Sequence, residues 1–289
     1  MRETALIWAR EVDSSLPVVL SESLSAADAA VMETFVVPRY LSLYADLMLE
    51  MRLVGEGARV AHLGCRTGYP DGLLFERIAG VSVVGVDSSP AALELARSKA
   101  AARGEAPLEY HEVYLFPTGL DEGTFSHVIS LHPVGTGQDR LELFSEATRL
   151  LYEGGQALIA MPLRGSFQEV GDLLKEYALK HDQGEFGNAV EMAMATRPTI
   201  ETISEEIEVA GLVDVDVEIR ATTLPFDSGR AFFEDPIARL LIFPELCASI
   251  GVDELEEPLA YVRDAVDKYW SEGRFDLTLN LGCASARRY

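Results

Sequence analysis

The sequence is poor in the features that would place it outside the cell or in a membrane. Its three cysteines, Cys65, Cys247 and Cys283, are odd in number and far apart in 289 residues. That pattern excludes a disulfide framework and offers no metal-ligand spacing, so no metal is expected and a reduced, cytoplasmic setting follows. No apolar run approaches the ~20 residues a spanning helix needs. The N-terminus lacks the basic-then-apolar layout of a secretory leader, and no membrane contact is expected. Basic residues are scarce: 24 Lys+Arg stand against 47 Asp+Glu, a formal net charge of −23. Such a surface repels phosphate backbones, which argues against nucleic acid as a partner. The same acidity serves solubility. Internal repeats and low-complexity tracts are also missing. The length then fits one large domain or one domain with a cap.

What the sequence does have is a strand, turn, helix, strand unit between Val60 and Asp87. A short apolar run ends at Leu63 and enters a turn built on Gly64, Cys65, Arg66, Thr67 and Gly68. A helical stretch opened by Asp71 and Gly72 follows, and a second apolar run ends on Asp87. Glycines let a ligand approach the backbone, and an acid about 20 residues further on can take both hydroxyls of a ribose. The unit is suited to an adenosine-containing small molecule.

These residues resemble the first motifs of the class I S-adenosylmethionine-dependent methyltransferases. Gly64, Cys65, Thr67 and Gly68 stand where that family has Gly-Cys-Gly-Thr-Gly, and Asp87 with Ser88, Ser89 and Pro90 stands at its ribose-binding acid. Leu150 to Gly155 resembles the family's Leu-x-Pro-Gly-Gly turn, at the expected distance. Three positions depart from the pattern: His62 for an acid, Arg66 for the middle glycine, and Ser126 for the Asp that follows Phe125. The resemblance implies a seven-stranded, mostly parallel α/β sheet with helices on both faces, its last strand antiparallel. It implies S-adenosyl-L-methionine as cofactor and a small-molecule, or else a protein, acceptor. The cofactor residues it implies are Tyr40, His62, Gly64, Cys65, Arg66, Thr67, Gly68, Asp87, Ser88, Glu112, Val113, Ser130 and Leu131. Tyr44 is an alternative to Tyr40 as the aromatic over the cofactor. Arg66 either pairs with the cofactor's carboxylate or fills the pocket.

In chain order, residues 1–55 read as an arm and helices covering the crevice, with Ser25 as an N-cap and Pro38 breaking or kinking the run. Residues 56–164 read as the cofactor-binding core, and 165–225 as the rest of the core with a capping loop over His181 to Arg197. Within this stretch Val213, Val215, Val217 and Ile219 alternate with charged residues, a half-buried strand pattern. Residues 226–274 read as a helical insertion or lid with two helices, Ala231 to Leu246 and Leu255 to Trp270. Residues 275–289 supply the last strand. Two alternating strands this late, and the absence of Gly-x-Gly-x-x-Gly, argue against a nucleotide-dependent oxidoreductase.

Methyl transfer to a high-pKa oxygen or nitrogen also needs a base. His132, just after the fourth strand, is the best placed, with His111 and Glu112 behind it. The competing reading is a non-catalytic relative, a methyltransferase fold used as a binding or regulatory module. A protein partner or a homo-oligomer is open to either reading.

Overall fold

The computed structural model describes residues 23–51, 56–104, 107–133, 137–250 and 255–289. The arm expected over residues 1–22 lies outside them. Helix α1 (Ala26–Val31) starts at Ser25, whose hydroxyl accepts the Asp28 N–H at 3.1 Å. The chain then stays helical through a π-helical segment, Met32–Leu41, into α2 (Ser42–Glu50). Of the two outcomes expected at Pro38, a break does not occur, since Pro38 lies inside the π-helical segment. The wider π turns take in a residue with no N–H to donate.

The core alternates strands and helices: β1 (Arg59–Leu63), α3 (Asp71–Arg77), β2 (Ser82–Asp87), α4 (Pro90–Ala102), β3 (Leu108–Glu112), β4 (Phe125–Leu131), α5 (Gly137–Leu150) and β5 (Leu151–Pro162). There follow α6 (Gln168–Lys180), α7 (Gly184–Ala195), α8 (Ile200–Val209), β6 (Val213–Phe226), α9 (Gly229–Glu234), a π segment (Ala238–Ile242), α10 (Phe243–Ile250), α11 (Glu256–Tyr269) and β7 (Phe275–Arg287). The sheet has seven strands in the order β3-β2-β1-β4-β5-β7-β6, mostly parallel, with the last antiparallel. Parallel pairing explains the apolar run of β2 from Val83 to Val86 and the burial of every residue of β4, since such strands are covered on both faces.

The described chain forms two compact units. One comprises the residues up to Met161 with Pro198–Arg220 and Leu281–Tyr289. In it, Ser126 explains its own departure from the family pattern. Its hydroxyl accepts the Arg59 N–H at 2.9 Å, fastening the start of β1 to β4. It also lies 2.8 Å from Nδ1 of His127. His127 is buried, and burial, helped by the positive Arg287, pushes its imidazole down to about 4 from the ordinary 6.5. Between pH 6.5 and 4 the unfolded chain binds a proton that the folded chain refuses. Stability therefore falls as pH drops through that window, by up to about 3 kcal/mol. Urea midpoints measured across it are expected to fall in the native chain and to flatten in His127→Gln.

Gly154 lies inside strand β5, and helix α5 ends at Leu150. Strand β5 begins at once at Leu151, and the register against β4 jumps from Phe125–Leu151 to His127–Gln156. Gly154 (φ +83°) takes the irregular position in this bulge, its N–H donating to the Arg288 carbonyl at 2.6 Å. Strand β6 ends the sheet order, and it is more open than its alternation suggests. Val213 and Ile219 are exposed along with Asp214 and Glu218.

The other unit comprises Pro162–Arg197 and Ala221–Asn280. The capping loop expected over His181 to Arg197 is largely helix α7. Phe186, Val190, Ala193 and Met194 are its buried face, a helical spacing that Gly184 and Gly187 obscure in the sequence. The first helix expected in the insertion is split into α9, the π segment and α10, with Asp235 extended at the end of α9. The insertion's apolar residues pack among themselves. Phe226, Phe232, Phe243, Trp270 and Phe275 form a chain of mostly edge-on rings 5.0 to 6.3 Å apart.

Candidate functional site

The ends of β1, β2 and β4 meet the turn 64–70 at the point where the strand order changes direction. Open α/β sheets bind ligands there. Gly64 (φ +69°) and Gly68 (φ +75°) supply the left-handed turns. Arg66 is also left-handed (φ +47°), a backbone conformation that glycine adopts at no steric cost.

Asp87 is fully buried at the end of β2. One of its carboxylate oxygens accepts the Arg66 N–H at 2.8 Å and the other the Ser89 N–H at 2.9 Å. The acid thus fastens the glycine turn to the start of α4, whose cap is the Ser89 hydroxyl with Pro90 in the first turn. Ser88 is buried beside it. Further out, Glu112 is exposed and receives the Tyr114 hydroxyl, and the Val113 N–H donates to the Asp87 carbonyl at 2.9 Å. Glu112 and Val113 therefore continue the β2–β3 ladder.

Arg66 does more than replace a glycine. Its guanidinium is 7% exposed and donates from Nη1 to the Leu131 carbonyl and from Nη2 to the His132 carbonyl, each at 2.8 Å. From its backbone to its tip this one residue links the ends of β2 and β4. His132 is left-handed (φ +49°) and 1% exposed, its ring edge-on to Tyr40 at 5.3 Å and to Tyr44 at 5.7 Å. The two tyrosine hydroxyls lie 2.9 Å apart. Ser130 and Thr67 are buried, and the Thr67 carbonyl accepts Lys99 Nζ at 3.0 Å. His111 is exposed on β3, with Nε2 3.7 Å from Glu109. Sequence reasoning names Tyr40, Tyr44, Arg66, Leu131 and His132 for separate roles, and the structure brings them into one cluster, while His111 and Glu112 are exposed on β3.

Sequence reasoning misses a second network below the turn. His62 replaces the family acid, but its Nδ1 lies 2.8 Å from Oδ1 of Asp71, a carboxylate with no exposed surface. Oδ2 of Asp71 accepts the Tyr110 hydroxyl at 2.9 Å. The lost negative charge is thereby supplied from the first residue of α3. His62 Nε2 is buried and has no hydrogen-bond partner among the described residues. Pairing explains how Tyr110 reaches Asp71: His62, Gly85 and Tyr110 are in register across β1, β2 and β3. Gly85 leaves the row open for the ring, since a Cβ there would lie 2.6 Å from Tyr110 Cδ1 and 2.9 Å from Cys65 Sγ. Gly85→Ala is expected to cost about 1–3 kcal/mol by overpacking, read as a lower urea midpoint with an unchanged slope. Burial first, then the charges of Asp87 and Asp71, pushes the Cys65 thiol well above its ordinary range, so it stays protonated. Burial, then Asp71, likewise raises the Tyr110 phenol.

Residues 61–159 match the family model described as a methyltransferase domain. No curated protein matches the sequence. Among solved structures, the chain is similar to Haemonchus contortus phosphoethanolamine N-methyltransferase 2, solved with phosphomonomethylethanolamine and S-adenosylhomocysteine, at 18% identity and a TM-score of 0.53. That match covers 91% of this chain and 57% of the other, so the chain spans little more than half the length of that enzyme. It is also similar to the YcgJ protein of Bacillus subtilis, with 13% identity, a TM-score of 0.55, and 86% and 98% of the two chains covered. A third likeness is to a Bacillus halodurans protein assigned as a methyltransferase, at 18% identity and a TM-score of 0.54, covering 86% and 99%. At these identities the structures establish the fold.

Proposed function

We propose that the protein is an S-adenosylmethionine-dependent methyltransferase acting on a small-molecule acceptor, a reading supported by the match of residues 61–159 to a methyltransferase-domain family model and by the Rossmann-like fold. The observation that carries this is the domain match over the stretch that holds both the glycine turn and Asp87. The solved N-methyltransferase with S-adenosylhomocysteine and a small amine substrate supports the same donor and acceptor class.

The residues fit the adenosyl half of that cofactor: a left-handed glycine turn, and a buried carboxylate at the end of β2 about 20 residues beyond it. They do not fit its amino-acid half as the side chains stand, because Arg66 holds the carbonyls at the end of β4. The chain's own contribution is alignment and a water-poor crevice, since His62, Asp71, Asp87 and His132 are all buried. His132 is the side chain proposed to take a proton from the acceptor.

Calorimetry with S-adenosylmethionine and S-adenosylhomocysteine tests the reading. Binding is expected, and an NADH titration run alongside is expected to show none. Absence of binding of either sulfur compound at millimolar concentration would end the enzyme reading. The same guanidinium favours a second reading, a non-catalytic binding module. Binding without transfer of a labelled methyl group to any small molecule of a cell extract would select it.

A further inference from the structure

The ends of β2 and β4 lie on either side of β1, about 10 Å apart at ordinary strand spacing. Arg66 spans that gap, its N–H on Asp87 and its guanidinium on the carbonyls of Leu131 and His132. Those carbonyls are acceptors only, and two of them converge on one cation in a buried place. A site of that kind selects a positively charged, multiply donating group. Guanidinium is such a group, and so is the ammonium of an α-amino acid.

We infer that the crevice end of β4 is an ammonium subsite occupied by the chain's own Arg66, so that a nucleoside ligand carrying an α-amino-acid group binds only by displacing that guanidinium. The inference rests on the proposed function for the adenosyl half and deepens it for the other half. The bond from Arg66 to Asp87 is made by the backbone N–H and not by the guanidinium. The turn can therefore keep its shape while the guanidinium leaves. A glycine at position 66 suits the left-handed backbone there, so Arg66→Gly removes the occupant while favouring the existing turn.

The test compares two ligands on two proteins. S-adenosylhomocysteine carries the amino-acid group, and 5′-methylthioadenosine has the nucleoside and sulfur without it. Arg66→Gly is expected to bind S-adenosylhomocysteine about tenfold or more tightly than the native chain, with methylthioadenosine affinity unchanged. Low-millimolar guanidinium chloride, against a sodium chloride control, is expected to weaken S-adenosylhomocysteine binding to Arg66→Gly and to leave methylthioadenosine binding as it was. Equal or weaker S-adenosylhomocysteine binding by Arg66→Gly overturns the inference while methylthioadenosine binding keeps the adenosyl reading intact. Failure of both proteins to bind either ligand overturns that reading, and the inference with it. If the glycine variant does not fold, Arg66→Lys is judged by the same comparison, since one ammonium cannot reproduce the two-pronged hold. Tighter S-adenosylhomocysteine binding then supports the inference and unchanged binding overturns it.

Discussion

Asp87→Ala is expected to lower the unfolding free energy by about 3–6 kcal/mol, because hydrogen bonds to a charged group contribute about 1.5–3 kcal/mol each and two are lost. The Arg66 and Ser89 N–H groups would be left buried without their acceptor, and the glycine turn would lose its tie to α4. Asp87→Asn keeps one carbonyl oxygen and is expected to cost about half as much. Urea denaturation reads the stability. Calorimetry with methylthioadenosine reads the second consequence, loss of nucleoside binding in Asp87→Ala. Retained binding with reduced stability would mean that Asp87 only shapes the turn and that the sugar is gripped elsewhere.

Asp71→Ala has the other large expected effect, about 3–5 kcal/mol, the usual range for removing one partner from a buried charged network. Both carboxylate oxygens are in use, one toward His62 and one accepting from Tyr110, with no surface exposed to water. Tyr110→Phe alone removes one bond and is expected to cost about 1 kcal/mol. The double variant should cost clearly less than the sum of the singles, because each change removes the same bond. Ultraviolet titration separates this network from simple packing. Burial and then Asp71 hold the Tyr110 phenol high, so Asp71→Ala should let it ionise at lower pH, though still above an exposed tyrosine. An unchanged phenol titration would remove Asp71 from the argument.

Much of this architecture is legible in the sequence. The glycine turn, Asp87 and the Ser89–Pro90 helix start are local signals, set within a few residues of backbone. The order of strands and helices up to β5 follows from apolar runs whose period is short. What is not legible depends on which chain segments become neighbours. Gly85 reads as an ordinary strand glycine until its register opposite Tyr110 is known. Asp71 reads as a helix opener, and only its burial with His62 shows that it replaces the missing acid. Its placement nine residues after a histidine standing at a normally acidic position is the one signal that sequence offers. Arg66 presents two outcomes from sequence alone, and only the direction of its side chain selects one. Helix α7 is hidden because its glycines lower the helical pattern while tertiary burial restores it.

Strand β6 carries a liability that its charges offset. It closes the sheet order, and Val213 and Ile219 lie open along it beside Asp214, Asp216 and Glu218. An outermost strand with bare hydrocarbon is a template on which further copies can stack, and like charges along it keep such copies apart. The acidity that serves general solubility thus also has a local task here. Neutralising those three carboxylates by amide substitution would turn the rim of the sheet into a seed for fibrils while leaving the crevice at its opposite strands untouched.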